Sequence, residues 1–213
     1  MRRVLAAWLV LMLLLPAARA DAAPEIIVDV ERKQLFLMQG TQVLRRYPIA
    51  TGAPDWPTPL GVFRINRRFS GEMGGFGTCF LGLDVPWGNY GIHGTNKPES
   101  IGSGASHGCI RLYVPDAEEL YALVPNGTRV VILCGPFGDL GTSLRPLRSG
   151  DRNSMVRAVQ SRLKALGWYH GWPDGIYGDA TSRAVESARK ALGLPPGEVD
   201  WALYQAIGLT LFE

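Results

Sequence analysis

The sequence predicts a mainly β domain followed by a small helical domain. Short segments rich in Val, Ile, Leu and Phe recur over the first two thirds of the 213-residue chain, with Gly- and Pro-rich turns between them. After residue 150 the apolar residues recur instead with the period of an α-helix. The 26 glycines and 15 prolines suit a turn-rich β fold. A chain of this length can hold one sizeable domain and a small one.

The first domain is expected to contain about seven short strands with one or two helices, a mixed and mostly β arrangement. Its first two strands form a hairpin around the polar residues 31–34. Residues 52–59 contain three prolines, so they form a loop rather than a helix or an inner strand. The strands are predicted at residues 25–30, 35–37, 42–51, 61–66, 79–85, 90–93 and 128–133.

Two further segments of the first domain separate these strands. Residues 69–77 form a glycine-rich loop, which either lines a substrate cleft or is a mobile surface connection. A helix begins at Asp116, after Pro115, and its apolar face covers the core. That face consists of Leu120, Leu123 and Val124. The first domain is assigned to residues 24–135.

A linker and a three-helix domain complete the chain. Residues 136–146 carry Gly, Pro and Ser without periodicity, which is typical of a linker. Residues 147–213 form the helical domain, in which Asp179 can cap the second helix and Asp200 the short third one. The first helix places four apolar residues on one face, namely Val156, Val159, Leu163 and Leu166.

Residues 1–20 are predicted to be a signal peptide. A short basic start precedes an apolar run at residues 4–15, and a small-x-small cleavage site ends at Ala20. An uncleaved N-terminal anchor is the alternative, although the run is short for a membrane span. We therefore expect a protein secreted across the inner membrane, periplasmic or associated with the cell wall. No stable membrane span is expected after signal cleavage.

Charge and composition exclude one class of partner. Cleavage after Ala20 removes three arginines and no acidic residue, so the formal net charge falls from +3 to zero. The basic character belongs to the signal peptide, and nucleic-acid binding has no support. The apolar content of 46% and the charged content of 19% are those of an ordinary globular protein.

A cysteine and two histidines lie close together in sequence between residues 90 and 112. A thiol is mostly protonated at neutral pH, and a nearby imidazole can remove that proton and later return it to a leaving group. His93 is far enough from Cys109 in sequence to lie on a different element and meet it in space. His107 is two residues from Cys109, and on a strand both side chains would share one face. The small residues around Cys109 can present backbone N–H groups to an oxyanion.

The other two cysteines have no such neighbours. An oxidising compartment permits disulfides, and three cysteines leave at least one unpaired, which we expect to be Cys109. Cys79 and Cys134 lie in strand-like segments and are either bridged or both buried thiols. The sequence has no Cys-x-x-Cys or His-x-x-x-His pair, so no metal site is expected.

Both domains resemble known families. Tyr-Gly-Ile-His-Gly-Thr at residues 90–95 and Ser-His-Gly-Cys-Ile-Arg-Leu at residues 106–112 resemble the signature of the YkuD-type L,D-transpeptidase catalytic domain. The segment 51–63 is similar to the strand-loop-strand segment before that family's active site, and the resemblance covers roughly residues 25–135. Residues 147–207 resemble a peptidoglycan-binding-like module. The residues that match this module's pattern are Gly150, Val156, Val159, Gln160, Leu163, Leu166, Gly167, Asp174, Gly175, Gly178 and Thr181.

The resemblance implies roles for the residues of the motif. It implies a YkuD-like mixed sheet or sandwich in which Cys109 is the nucleophile and His93 the general base. The backbone carbonyl of Gly94 would orient the imidazole, and the N–H groups of Gly108 and Cys109 would hold the oxyanion. No metal or organic cofactor is implied. The residues that would shape the site or contact the donor are His107, Arg111, Tyr90 and Ser106.

The resemblance also implies a reaction and its partners, which are the stem peptides and glycan of peptidoglycan. Cys109 would attack the bond between the third residue and the terminal D-Ala of a tetrapeptide stem, and the amine of another stem would capture the acyl group as a 3-3 cross-link. Transfer to water (an L,D-carboxypeptidase) or to a protein amine remains open at this point. So does a non-catalytic wall-binding protein. The helical module departs from its family at residues 186–188 and 197–200, which leaves its ligand binding open.

Overall fold

The computed structural model describes residues 22–135 and 144–209. The predicted signal peptide, at residues 1–20, and most of the predicted linker lie outside the described residues. Within the described ranges, no helix is both long and apolar enough to cross a membrane.

The first domain is built on an eight-stranded sheet, with a separate two-stranded sheet beside it. The large sheet has the order β3-β2-β1-β10-β5-β6-β7-β9, and β4 pairs with β8. A single helix, α1 (Val114–Leu123), packs against β6 and β7. The strands are β1 (Pro24–Asp29), β2 (Gln34–Gln39), β3 (Gln42–Pro48), β4 (Thr51–Gly52), β5 (Gly61–Ser70), β6 (Cys79–Leu83), β7 (Tyr90–Gly94), β8 (Gly104–Ser106), β9 (Ile110–Leu112) and β10 (Arg129–Leu133).

The apolar side chains of this sheet form one core under α1. Alternate residues of β2, β5 and β10 are buried, as expected for strands with one face in the core, whereas β6 and β7 are buried along almost their whole length. The predicted mainly β domain is therefore confirmed. The largest fully buried side chains of its core include Ile26, Leu35, Leu37, Ile49, Ile65, Leu81, Ile92, Ile110, Leu112 and Leu120.

Several predicted boundaries in the first domain are wrong. The predicted third strand breaks before residue 51, and β5 continues four residues beyond its predicted end. The short strands β8 and β9 have too few residues for a recognisable alternation. The helix starts at Val114 rather than Asp116, because Pro115 is favourable in a first helical turn. Leu123 is 43% exposed and does not belong to the packed face.

The predicted three-helix domain is confirmed. Its helices are α2 (Ser154–Ala165), α3 (Asp179–Ala191) and α4 (Trp201–Ala206). Asp200 caps α4 as predicted, because its carboxylate accepts the N–H of Leu203 at 2.9 Å. Asp179 is the first residue of α3 and makes no capping bond, since Gly178 holds the cap position. The packed face of α2 loses Leu166, which lies past the helix end and is 38% exposed.

A buried glutamine joins α2 to the loop that follows it. The Gln160 side chain is fully buried, and its Nε2 donates to Asp174 Oδ1, to the Ile176 carbonyl and to Thr181 Oγ1. Its Oε1 accepts the N–H of Gly175 at 2.8 Å. The amide is thereby saturated with hydrogen bonds, which is the condition for burying a polar side chain without a large cost.

The helical domain docks on the start of β5. The buried N–H of Leu60 donates to Ser154 Oγ at 2.7 Å. The guanidinium of Arg157 lies over the ring of Phe63 at 5.0 Å and over that of Trp87 at 6.0 Å. Gly175 approaches Trp87 so closely that a Cβ there would lie 2.4 Å from a ring carbon. Hydrogen bonding, cation–π contact and close packing therefore join the two domains.

The three cysteines are all free thiols. Cys79 pairs with Ser70 at one end of β5, whereas Ile132, two residues before Cys134, pairs with Gly61 at the other end. A strand of this length spans about 30 Å, and a disulfide needs Cα atoms within about 7 Å. The sequence leaves open whether Cys79 and Cys134 form a disulfide, and in the structure they do not.

Candidate active site

The candidate catalytic residues lie on one face of two parallel strands. In the register of β7 and β9, His93 lies opposite Arg111, and Ile92 opposite Ile110. Both isoleucines point into the core, so alternation directs His93 and Arg111 to the other face. Cys109 directly precedes β9, and its thiol receives the backbone N–H of Gly91. The chain thus brings together two segments that are sixteen positions apart in sequence.

His93 is buried and oriented by its neighbour. Its Nδ1 lies 2.5 Å from the carbonyl oxygen of Gly94. A carbonyl only accepts, so Nδ1 carries the proton and Nε2 is left as the basic nitrogen. Burial lowers the pKa of His93 to about 4, and the charge of Arg111 acts in the same direction against the opposing effect of the Gly94 carbonyl. The imidazole is therefore neutral at physiological pH and can accept a proton.

Two phenylalanine rings enclose His93. The ring of Phe80, on β6, stacks on the imidazole with centroids 5.8 Å apart. The ring of Phe76 meets it edge-on at 4.8 Å. Phe76 ends a 3₁₀ turn (Gly74–Phe76) inside the glycine-rich loop. Of the two alternatives for this loop, the structure favours the one in which it lines the site.

Cys109 is half-buried and held as a thiol. Burial raises the pKa of the Cys109 thiol, while the Gly91 N–H and the positive charge of Arg111 oppose that rise. The thiol is therefore protonated at neutral pH, and the imidazole of His93 is also neutral. This pairing suits proton transfer during attack, rather than a thiolate and imidazolium that exist before substrate binds.

A tight turn presents the cysteine. Gly108 has φ 107°, a conformation that L side chains rarely adopt. Ser106 Oγ donates to the carbonyl of Cys109 at 2.6 Å and accepts the N–H of Gly108 at 3.0 Å. The ring of Tyr90 packs on the turn, since a Cβ on Gly108 would lie 2.5 Å from one of its carbons. Of the two N–H groups expected to hold the oxyanion, that of Gly108 is engaged by Ser106 in this structure.

His107 takes a different direction from the one that strand alternation predicts. The positive φ of Gly108 interrupts the alternation, so His107 and Cys109 do not share a regular strand. The His107 side chain is exposed, and its ring lies 4.6 Å from that of Trp56 in the proline-rich loop. His107 therefore contacts the rim of the site, whereas His93 is enclosed within it.

Arg111 brings to the site a positive charge and a buried N–H donor. Its Nε is buried and has no hydrogen-bond partner in the part of the chain that the structure describes. A buried donor without a partner is costly, so it is suited to a ligand oxygen. Among the same described residues, no group of three or more His, Cys, Asp or Glu side chains could hold a metal ion.

Comparison with known proteins places the first domain in a family. The family model of the L,D-transpeptidase catalytic domain matches residues 23–132, just over half of the chain. The YkuD protein of Bacillus licheniformis is 42% identical over 122 residues, which cover 56% of this chain and 73% of that protein. The chain belongs to the L,D-transpeptidase catalytic domain family. The YkuD protein of Bacillus subtilis is 46% identical over 107 residues, covering 50% of this chain and 64% of that protein, and both proteins carry L,D-transpeptidase in their names.

The remaining comparisons concern the second domain and a solved structure. The family model of a peptidoglycan binding domain matches residues 152–207, in agreement with the resemblance seen in the sequence. The catalytic domain of the Enterococcus faecium L,D-transpeptidase, solved by NMR, is 27% identical. It covers 52% of this chain and 96% of its own, with a TM-score of 0.46.

Three aromatic residues around the candidate site are not predicted from the sequence. Phe76 and Phe80 enclose His93, and Trp56 contacts His107. Phe80 could have been found from its place on the strand next to His93, once strand pairing is assumed. Phe76 and Trp56 lie on loops, where no periodicity indicates the direction of a side chain.

Proposed function

We propose that this protein is a peptidoglycan L,D-transpeptidase that forms 3-3 cross-links through a thioester on Cys109. The observation that carries the proposal is that β7 holds a neutral, oriented imidazole while the neighbouring strand β9 begins directly after a protonated thiol. Membership of the family supports it, as does the fused domain that matches a peptidoglycan-binding model.

In the acylation step, His93 Nε2 takes the thiol proton as Cys109 Sγ attacks the carbonyl carbon between the third residue and D-Ala of the donor stem. The Gly94 carbonyl keeps the imidazole in the tautomer that can accept this proton. The Cys109 N–H would hold the oxyanion, joined by the Gly108 N–H once Ser106 releases it. The C–N bond then breaks, His93 returns the proton to the amine of D-Ala, and a thioester remains.

In the second step, the side-chain amine of another stem replaces D-Ala at the same position. His93 removes a proton from this amine as its nitrogen attacks the thioester carbon. The C–S bond then breaks, the new amide is released, and His93 returns the proton to the Cys109 sulfur. Two steps with lower activation barriers thereby replace a direct exchange of one amide for another. Arg111 would bind donor oxygens through its unpartnered Nε, and Tyr90 and His107 would shape the walls of the site.

The proposal includes a location and a second binding function. Peptidoglycan lies outside the cytoplasm, so residues 1–20 would act as a signal peptide for export. The helical domain would bind the same polymer. Tyr169 and Tyr177 belong to the core of this domain, whereas Trp172 is 78% exposed and can stack on a sugar.

Incubating the mature protein with soluble tetrapeptide muropeptides and identifying the products by mass tests the reaction. A 3-3 cross-linked dimer with free D-Ala is expected. Tripeptide alone would indicate a carboxypeptidase, and bound but unchanged muropeptide a wall-binding protein. The Cys109→Ala variant should yield neither product, and full activity in that variant would exclude Cys109 as the nucleophile.

A further inference from the structure

We propose that the groove between the two domains binds the peptide of the donor stem, so that the helical domain forms one wall of the catalytic cleft. This interdomain groove has a volume of about 900 Å³. The proline-rich segment 52–60 lines one side, residues 150–155 of the helical domain line the other, and Trp87 and Tyr90 lie between them. The inference rests on the proposed function, which supplies the donor.

The wall contributed by the helical domain is held in a defined place. Ser154 belongs to that wall, and its Oγ accepts the N–H of Leu60 on the opposite wall. Arg157, one turn further along α2, packs on Phe63 and Trp87. These contacts hold the two walls at a fixed separation. A groove ordered before binding loses less entropy when a ligand enters it.

The groove leads to the nucleophile. Tyr90 lines it, and the ring of this tyrosine packs on Gly108. Pro57 belongs to the proline-rich wall, and its carbonyl oxygen lies 3.3 Å from the position that a Cβ on Gly108 would occupy. Ala53 also donates its N–H to the carbonyl of Ser106 at 2.9 Å. One end of the groove is therefore the turn that carries Cys109.

The chemistry of the reaction selects the donor for this groove. His93 gives a proton to the departing amine and takes one from the incoming amine, so both amines lie on the His93 side of the thiol. The acyl part of the donor extends away from His93. Tyr90 begins β7, three residues before His93, and it lines the groove, so an acyl chain that runs back along β7 from the thiol would enter the groove.

The lining suits an anionic peptide. Its prolines and aromatic rings offer apolar contact. Lys33, Arg145 and Arg152 are its basic residues. Because Lys33 Nζ donates to Thr51 Oγ1 and Arg145 is paired with Asp151, Arg152 is the basic side chain offered to a ligand. The acidic residues of the lining are Asp55 and Asp151, and Asp151 is engaged by Arg145 at 3.5 Å and by the N–H of Arg148 at 3.0 Å. Arg152 is exposed at the groove and can reach a carboxylate of the stem.

Binding of a soluble disaccharide-tetrapeptide to the full chain carrying Cys109→Ala measures this interaction without turnover. Adding Arg152→Glu should weaken binding on the order of tenfold, and adding Arg152→Ala should weaken it less. The matched control is Arg183→Glu, the same charge change at an exposed position of α3 outside the groove, which should leave the affinity unchanged.

Equal affinities in the Arg152 and Arg183 variants would overturn the proposal. The outcome is separable from that of the proposed function. If the active chain forms no cross-link but Arg152→Glu still weakens muropeptide binding, peptide binding in the groove is supported and the proposed reaction is wrong. If cross-links form and Arg152→Glu has no effect on binding, the proposed reaction is supported and the assignment of the groove is wrong.

Discussion

At the residue scale, burial sets the proton chemistry of the site. His93 loses basicity and Cys109 loses acidity for the same reason, because each charged form is excluded from water. Neither group is ionised at rest, so the proton would move only when a carbonyl carbon is present to receive the sulfur. The motif in the sequence predicts which residues meet, but not this electrostatic state, which depends on the rings of Phe76 and Phe80.

The buried imidazole predicts a specific pH dependence of folding. The pKa of His93 is about 4 in the folded protein and about 6.5 when unfolded, so the unfolded state binds the proton first as pH falls. The free energy of unfolding should therefore fall by about 3 kcal/mol from this residue between about pH 7.5 and about pH 4. Urea unfolding of the wild type and His93→Gln at both pH values measures the difference. An equal pH dependence in the two proteins would contradict the assignment.

At the element scale, the glycine-rich loop acts on the site through one side chain. Residues 71–78 connect β5 to β6, and the ring of Phe76 in this connection contacts the imidazole of His93. Phe76 is itself 47% exposed. The longer strands of the sheet are largely predictable, because apolar runs mark β1, β2 and β10 and alternation marks β5. The loop conformation is not, since glycines permit many backbone angles and contacts within the folded domain, such as that of Phe76 with His93, select one of them.

Replacing Phe76 by Ala should expose the imidazole and raise its pKa from about 4 toward the ordinary value near 6.5. NMR titration of the His93 ring in the Cys109→Ala chain measures the shift. Phe69→Ala is the matched control, because Phe69 is similarly exposed and its ring contacts Phe80 rather than His93. An unchanged His93 titration in Phe76→Ala would show that the loop does not enclose the imidazole in solution.

At the scale of the whole molecule, the helical domain is joined to the proline-rich loop that contacts the catalytic turn. The helical periodicity predicts α2, and the cap residues predict α4. The docking is not predictable, since Ser154 and Arg157 look like ordinary surface residues of α2 in the sequence. Their contacts depend on Leu60, Phe63 and Trp87 of the other domain, which no local pattern reveals.

The docking predicts a local change on removal of one hydroxyl. Ser154→Ala leaves the buried Leu60 N–H without its acceptor, which costs about 1–3 kcal/mol. Hydrogen exchange of the Leu60 amide should accelerate about tenfold or more, since each 1.4 kcal/mol is a factor of ten. Mass spectrometry of peptides containing Leu60 measures this rate. Ser187→Ala, which removes an exposed hydroxyl from α3, should leave it unchanged, and unchanged exchange in both variants would contradict the docking.

The central claim is that Cys109 carries the acyl group between two stems. Intact-mass measurement of the mature protein after brief mixing with a tetrapeptide muropeptide tests it most directly. We expect an adduct on Cys109 that equals the donor without its D-Ala in mass. It should be lost again when an acceptor stem is added and should be absent from Cys109→Ser. Cross-linked product without such an adduct, or an adduct on another residue, would exclude Cys109 as the acyl carrier.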